Sequence, residues 1–101
     1  MISRQRVLAL MQDTVDTLRR SGVIEHDQRI EDGTILLGNG SELDSLAFVT
    51  FVSDLEDRLG RETGGDVYLL FDEIHDFNAE QPHLSAGALA DYVTQMTQPN
   101  G

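Results

Sequence analysis

The chain has 101 residues, with 18 acidic against 7 basic ones, a formal net charge of −11, and neither lysine nor cysteine. That length supports one modest core, so residues 1–101 are expected to form a single domain. The acidity argues against nucleic acid as a partner, because binding it depends on neutralising phosphates with cations, and the missing cysteines exclude disulfides, thiolate metal sites and a sulfur nucleophile belonging to the polypeptide.

Basic protein surfaces are the partners that such a charge favours. A hydrophobic content of 40% without tryptophan predicts an ordinary core of aliphatic side chains. No apolar run approaches the ~20 residues of a membrane span. Met1-Ile2-Ser3-Arg4-Gln5-Arg6 lacks the apolar stretch of a signal peptide. A cytoplasmic monomer without a membrane span is expected.

The first helix is predicted from Arg4 to Arg20, where Val7, Leu8, Met11, Val15 and Leu18 share one arc of ~100°. Ser3 is its expected cap, and Gly22 its stop after Arg19 and Arg20, which oppose the negative end of the helix dipole. From Val23 to Gly40 the period is lost, yet Ile24, Ile30, Ile35, Leu36 and Leu37 are too apolar for a free linker. This loop should pack back on the helices. Asp32-Gly33 is a hairpin signal, so a short β-ribbon between Ile30 and Ile35 is an alternative. Gly38-Asn39-Gly40 reads as a turn rather than a phosphate loop, since no lysine follows it.

The second helix follows at Ser45, with Phe48, Phe51, Val52, Leu55 and Leu59 on its core arc and Gly60 as its expected stop. Asp44 is one candidate N-cap and Ser41 the rival one, and either choice leaves Ser45 within the first turn. The outer arc carries Leu46, Val49, Thr50, Ser53 and Asp57, with Glu56 on its border. Arg61-Glu62-Thr63-Gly64-Gly65 reads as a break. Leu70, Ile74 and Phe77, with Phe71 beside them, predict a short third helix closed by Pro82; Val67-Tyr68-Leu69-Leu70-Phe71 alone could be a strand, but a small bundle offers it no sheet to join. Ser85 then caps a last helix with Ala86, Leu89, Ala90, Val93 and Met96 on its core face, and Thr97 to Gly101 should fray.

The stretch Asp44-Ser45-Leu46, led by Gly38-Asn39-Gly40-Ser41-Glu42-Leu43 and followed by an amphipathic helix, resembles the attachment motif of the acyl carrier protein family. The likeness covers most of the chain in element order, and its specific part runs from about Gly38 to Gly60. It implies an all-α fold: a small four-helix bundle of acyl-carrier type, with a long loop between helices 1 and 2 and an extended irregular segment around a short third helix. It implies that a phosphopantetheinyl transferase attaches 4′-phosphopantetheine covalently to Ser45, with Asp44 helping to orient that enzyme and its metal ion and Leu46 beside the site. The arm would carry acyl groups as thioesters, for fatty-acid, lipid or polyketide-type biosynthesis, and would bring the sulfur that the chain lacks. The protein itself would catalyse nothing. Val49, Thr50, Ser53, Glu56 and Asp57 would complete the face met by acyl-chain enzymes with basic docking surfaces. The acyl chain, as cargo, is expected near Phe48 and the segment from Leu70 to Phe77.

The chain also departs from the family pattern. Thr50 and Ser53 stand where many members have an acid and a larger apolar residue, and the interval from Ser45 to Ser85 is longer than in a typical fatty-acid carrier. The first implies a different choice of partner and the second a third helix of different geometry, while the run from Gly38 to Leu46 looks like that of a specialised, stand-alone carrier. An aminoacyl or peptidyl carrier is the nearest alternative, and an unmodified four-helix interaction module the other. A serine hydrolase is disfavoured because the neighbours of Ser45 are Leu43, Asp44, Leu46 and Ala47, not the glycines of a nucleophile elbow. His26, His75 and His83 have no metal-ligand spacing, and pairs such as Asp54 with Asp57 or Asp72 with Glu73 read as solvated helix surface.

Overall fold

A computed structural model describes residues 2–25, 28–38, 43–65, 67–69, 71–79 and 83–97, without the side chains of Ser45 and Phe71. The element order is α1 (Arg4–Arg20), β1 (Ile35–Leu37), α2 (Ser45–Thr63), α3 (Phe71–Phe77), β2 (Leu84–Ser85) and α4 (Ala86–Met96). Ser41, Asn39, Gly40, His26, Leu70, Pro82 and residues 98–101 lie outside the described residues, so the expectations placed on them have no structural counterpart.

Helix α1 starts as its sequence predicts, the Ser3 hydroxyl accepting the Arg6 N–H at 3.1 Å. Past its end Gly22, at φ +82°, lets the chain turn. Its buried face is wider than one arc: Leu10 and Thr14 are buried with Val7, Met11, Val15 and Leu18, while Leu8 is only partly so. The reason is tertiary, because α1 packs against both α2 and α4. The buried Thr14 hydroxyl is satisfied by donating to the Leu10 carbonyl at 2.7 Å.

The all-α expectation is corrected by a small antiparallel sheet of β1 and β2, pairing Ile35 with Ser85 and Leu37 with Leu84. A ribbon was foreseen here only as a local hairpin across Asp32-Gly33, whereas the partner strand lies immediately before α4. What fastens the long loop is the start of α4. Ala86 N–H donates to the Thr34 carbonyl at 2.7 Å and Gly87 N–H to the Asp32 carbonyl at 2.9 Å, and Ser85 Oγ accepts the Ala88 N–H at 3.1 Å. Donors that a helix start leaves unpaired are thus satisfied by the loop and the cap. Position 87 must be glycine for this approach, because a Cβ there would stand 2.8 Å from the Asp32 oxygen and 2.9 Å from Arg4 Nη2. Arg4 completes the joint, donating to Asp32 and Asp91 at 2.7 Å each. Nearer α1, Gln12 Oε1 accepts the Ile30 N–H at 2.7 Å. Ile24, Ile30 and Leu36 are buried, as expected of a loop that packs back, while Leu37 is exposed.

Helix α2 corrects a second expectation. It runs through Gly60 and the supposed break at Arg61-Glu62-Thr63, and ends at Gly64, whose φ is +75°. Arg6 grips Glu62 in this extra turn, Nε to Oε1 at 2.6 Å and Nη2 to Oε2 at 3.1 Å, which joins the start of α1 to the end of α2. Short α3 rests on α4, with Ile74 buried and Phe77 edge-on to Tyr92 at 5.4 Å between ring centres. Phe77 and Met96, both expected in the core, are exposed, while Tyr92 and Gly87 are buried instead. Burial, followed by the hydrogen bond it donates to Glu73 Oε2 at 3.0 Å, raises the Tyr92 phenol above its ordinary pKa.

Candidate functional site

At the N-terminal end of α2, Leu43 is buried and anchors the incoming chain, and Asp44 follows in extended conformation at φ −78° and ψ 178°. Asp44 Oδ1 accepts the Ala47 N–H at 2.7 Å, and its own carbonyl accepts the Phe48 N–H at 2.9 Å. Asp44 is therefore the cap, and Ser45 is the first helical residue. The first turn is two-faced. Ala47 and Phe48 are buried, whereas Leu46 is 75% exposed on the other side. Leu46 therefore stands open to water beside an exposed aspartate.

The remaining residues of the expected partner face fall into two groups. Val49, Ser53 and Asp57 are exposed along the same helix, and Thr50 is half-buried with its hydroxyl donating to the Leu46 carbonyl at 2.9 Å. Asp57 pairs with Arg61, and Asp54 with Arg58 at 2.8 Å, so neither carboxylate is merely solvated. Glu56 behaves differently. It is half-buried, and its Oε2 accepts the Leu69 N–H at 2.7 Å, so its carboxylate is engaged inside the molecule. Glu73, likewise read as solvated surface, accepts the Tyr92 hydroxyl.

An open groove of about 550 Å³ follows the C-terminal half of α2, between Ser53, Glu56, Asp57 and Gly60 on the helix and Val67 and Tyr68 opposite. Val67, Tyr68 and Leu69, for which a strand is the alternative sequence reading, belong to neither helix nor strand, and periodicity assigns no face to such a stretch. The available signal was a tyrosine after a double glycine, and Tyr68 is 62% exposed. Phe48, expected beside the cargo, is 3% exposed and belongs to the core, where its ring stacks near Phe51 at 6.5 Å. Among the described residues no group of three or more His, Asp or Glu side chains is placed to hold a metal ion, and no helix is long and apolar enough to cross a membrane.

No protein-family model, curated protein or solved structure matches the chain. The resemblance therefore rests on the sequence alone, chiefly on the residues from Gly38 to Gly60.

Proposed function

We propose that the protein is an acyl carrier whose Ser45 hydroxyl accepts 4′-phosphopantetheine, and that the fold is a four-helix bundle of that type modified by the β1–β2 pair. The observation that carries this reading is the start of α2: Asp44-Ser45-Leu46 straddles the cap, with Asp44 holding the first turn and Leu46 exposed. Ser45 at the first helical position places an attached phosphodiester at the positive end of the helix dipole, which suits an anion. When bound, the arm supplies a thiol on which acyl groups ride as thioesters, and the chain has no cysteine of its own. Asp44 keeps the first turn formed while the transferase works on its neighbour. Leu46, Val49, Ser53 and Asp57 offer that enzyme, and those that load and unload the arm, an apolar patch beside an acidic one. With a net charge of −11, basic surfaces are drawn to this face.

Incubation with coenzyme A, magnesium and a broad-specificity transferase should add one arm of about 340 Da to the intact mass, as the cofactor chemistry requires. The Ser45→Ala variant should take up none. Persistent single labelling of Ser45→Ala overturns the assignment of the site, and a wild-type chain that stays unlabelled overturns the carrier reading in favour of an unmodified interaction module.

A further inference from the structure

A further open groove, of about 430 Å³, lies where the start of α1, the long loop, the end of α3 and the first turn of α4 meet. Arg4, Asp32 and Asp91 line it together with Phe77, Asn78 and His83, and none of the described lining residues belongs to α2. Hydrogen bonds fix its frame. Arg4 donates to Oδ1 of Asp32 and of Asp91 and, through Nη2, to the Gly87 carbonyl at 3.3 Å, while Asn78 Nδ2 donates to the His83 carbonyl at 2.8 Å. One guanidinium thus serves two carboxylates, which leaves one negative charge over, and the side chains of Asp32 and Asp91 are still 66% and 56% exposed. Neither α3 nor α4 contains an arginine or lysine, whereas Asp72, Glu73 and Asp76 of α3 add to the negative field. Phe77 is 44% exposed in the same groove, although Tyr92 packs against it.

We propose that this groove is a docking site for an arginine side chain on a basic protein surface. An exposed aromatic ring and a surplus carboxylate in one groove are the two features that a guanidinium uses, since its stem and planar head can lie against the ring while its fork bonds the carboxylate oxygens that Arg4 does not engage. Other occupants fit less well. An anion meets the surplus acid, and a purely apolar group strips water from two exposed carboxylates without replacing its hydrogen bonds. The site does not depend on the carrier reading. A contact made here leaves free the face of α2 that carries Leu46, so a basic partner gains a second point of attachment, and the first contact raises the effective concentration for the second.

Titration of the unmodified full-length chain with the blocked peptide acetyl-Gly-Arg-Gly-amide at low ionic strength, followed by amide chemical shifts, tests the site. Shifts at Phe77, Asn78, Ala88 and Asp91 should follow one saturating curve. Phe77→Leu keeps an apolar side chain but removes the ring, and should weaken binding about two- to fivefold, the range of an exposed cation–π contact. Asp32→Asn keeps an acceptor for Arg4 while removing the surplus charge, and should weaken binding by a similar factor. The lysine peptide acetyl-Gly-Lys-Gly-amide lacks the planar fork and should bind less tightly than the arginine one. The proposal is overturned if the shifts are absent, if they rise without saturation and equally at an acid elsewhere such as Asp13, or if they concentrate at Leu46 and Val49. It is overturned equally if either variant binds as tightly as the wild type, or if the lysine peptide binds as well as the arginine one. Ser45 takes no part in this experiment, so its failure is distinct from a failure of Ser45 to be labelled.

Discussion

At its N-terminal end α2 is organised by residues within one turn of each other: Asp44 caps Ala47, and Leu43 and Phe48 anchor the flanks of Ser45. At its C-terminal end the partners come from elsewhere, with Arg6 of α1 on Glu62, Gly65 over Gly60, and Leu69 on Glu56. The first arrangement presents a residue, and the second restrains a segment. A cap fixes the turn that follows it, because its bond forms with the helix itself. The returning segment is joined to α2 by a side-chain carboxylate and by the burial of Leu69 rather than by a backbone ladder.

The sharpest contrast uses one residue type at both ends. Leu59, fully buried, should cost about 2–5 kcal/mol when changed to Ala, whereas Leu46→Ala should stay within about 0.5 kcal/mol of the wild type in urea unfolding. On the proposed function the order reverses in the transferase assay, where Leu46→Ala should slow labelling. Equal stability losses would break the contrast.

The two caps come next. Asp44→Ala should lose about 0.5–2 kcal/mol, the usual worth of an N-cap. Gly64→Ala should lose about 1–2 kcal/mol, because its φ of +75° strains any residue with a Cβ. Thermal unfolding of both variants measures this, and a Gly64→Ala variant as stable as the wild type would show that the left-handed position at the end of α2 does not require glycine.

The smallest effect is a pH dependence. The hydrogen bond from Arg6 holds the Glu62 carboxyl below its ordinary pKa of 4.5. Its stabilisation is therefore present above that value and lost as pH falls through the lower folded-state pKa. Both partners are open to solvent, so the effect should be slight. Acid titration of Glu62→Gln should show a shallower loss of stability below pH 4.5 than the wild type, and an identical slope would show that the pair contributes nothing.

All four helices were legible in outline from residues alone, since apolar spacing acts within one turn, as do the caps Ser3, Asp44 and Ser85 on three of them. The candidate site was legible for the same reason: Asp44-Ser45-Leu46 carries its cap, its serine and its exposed leucine in consecutive residues. Where two readings of a glycine compete, local information fails. Gly60 looked like a stop and is instead the place where the returning chain comes close, while Gly64, read as part of a break, ends the helix.

What the amino-acid order determined by itself is therefore the helical character of the chain, the N-caps Ser3 and Ser85 and the place of Ser45 at the start of a helix, all matters of neighbours in sequence. Only the tertiary structure decided that β1 pairs with the residues before α4, that α1 is buried on a wider face than one arc, and that Glu56 serves Leu69 rather than solvent. Each of these joins residues distant in the chain, where hydrogen-bonding groups and apolar surface find whichever partner the fold brings near, and no periodicity records that choice.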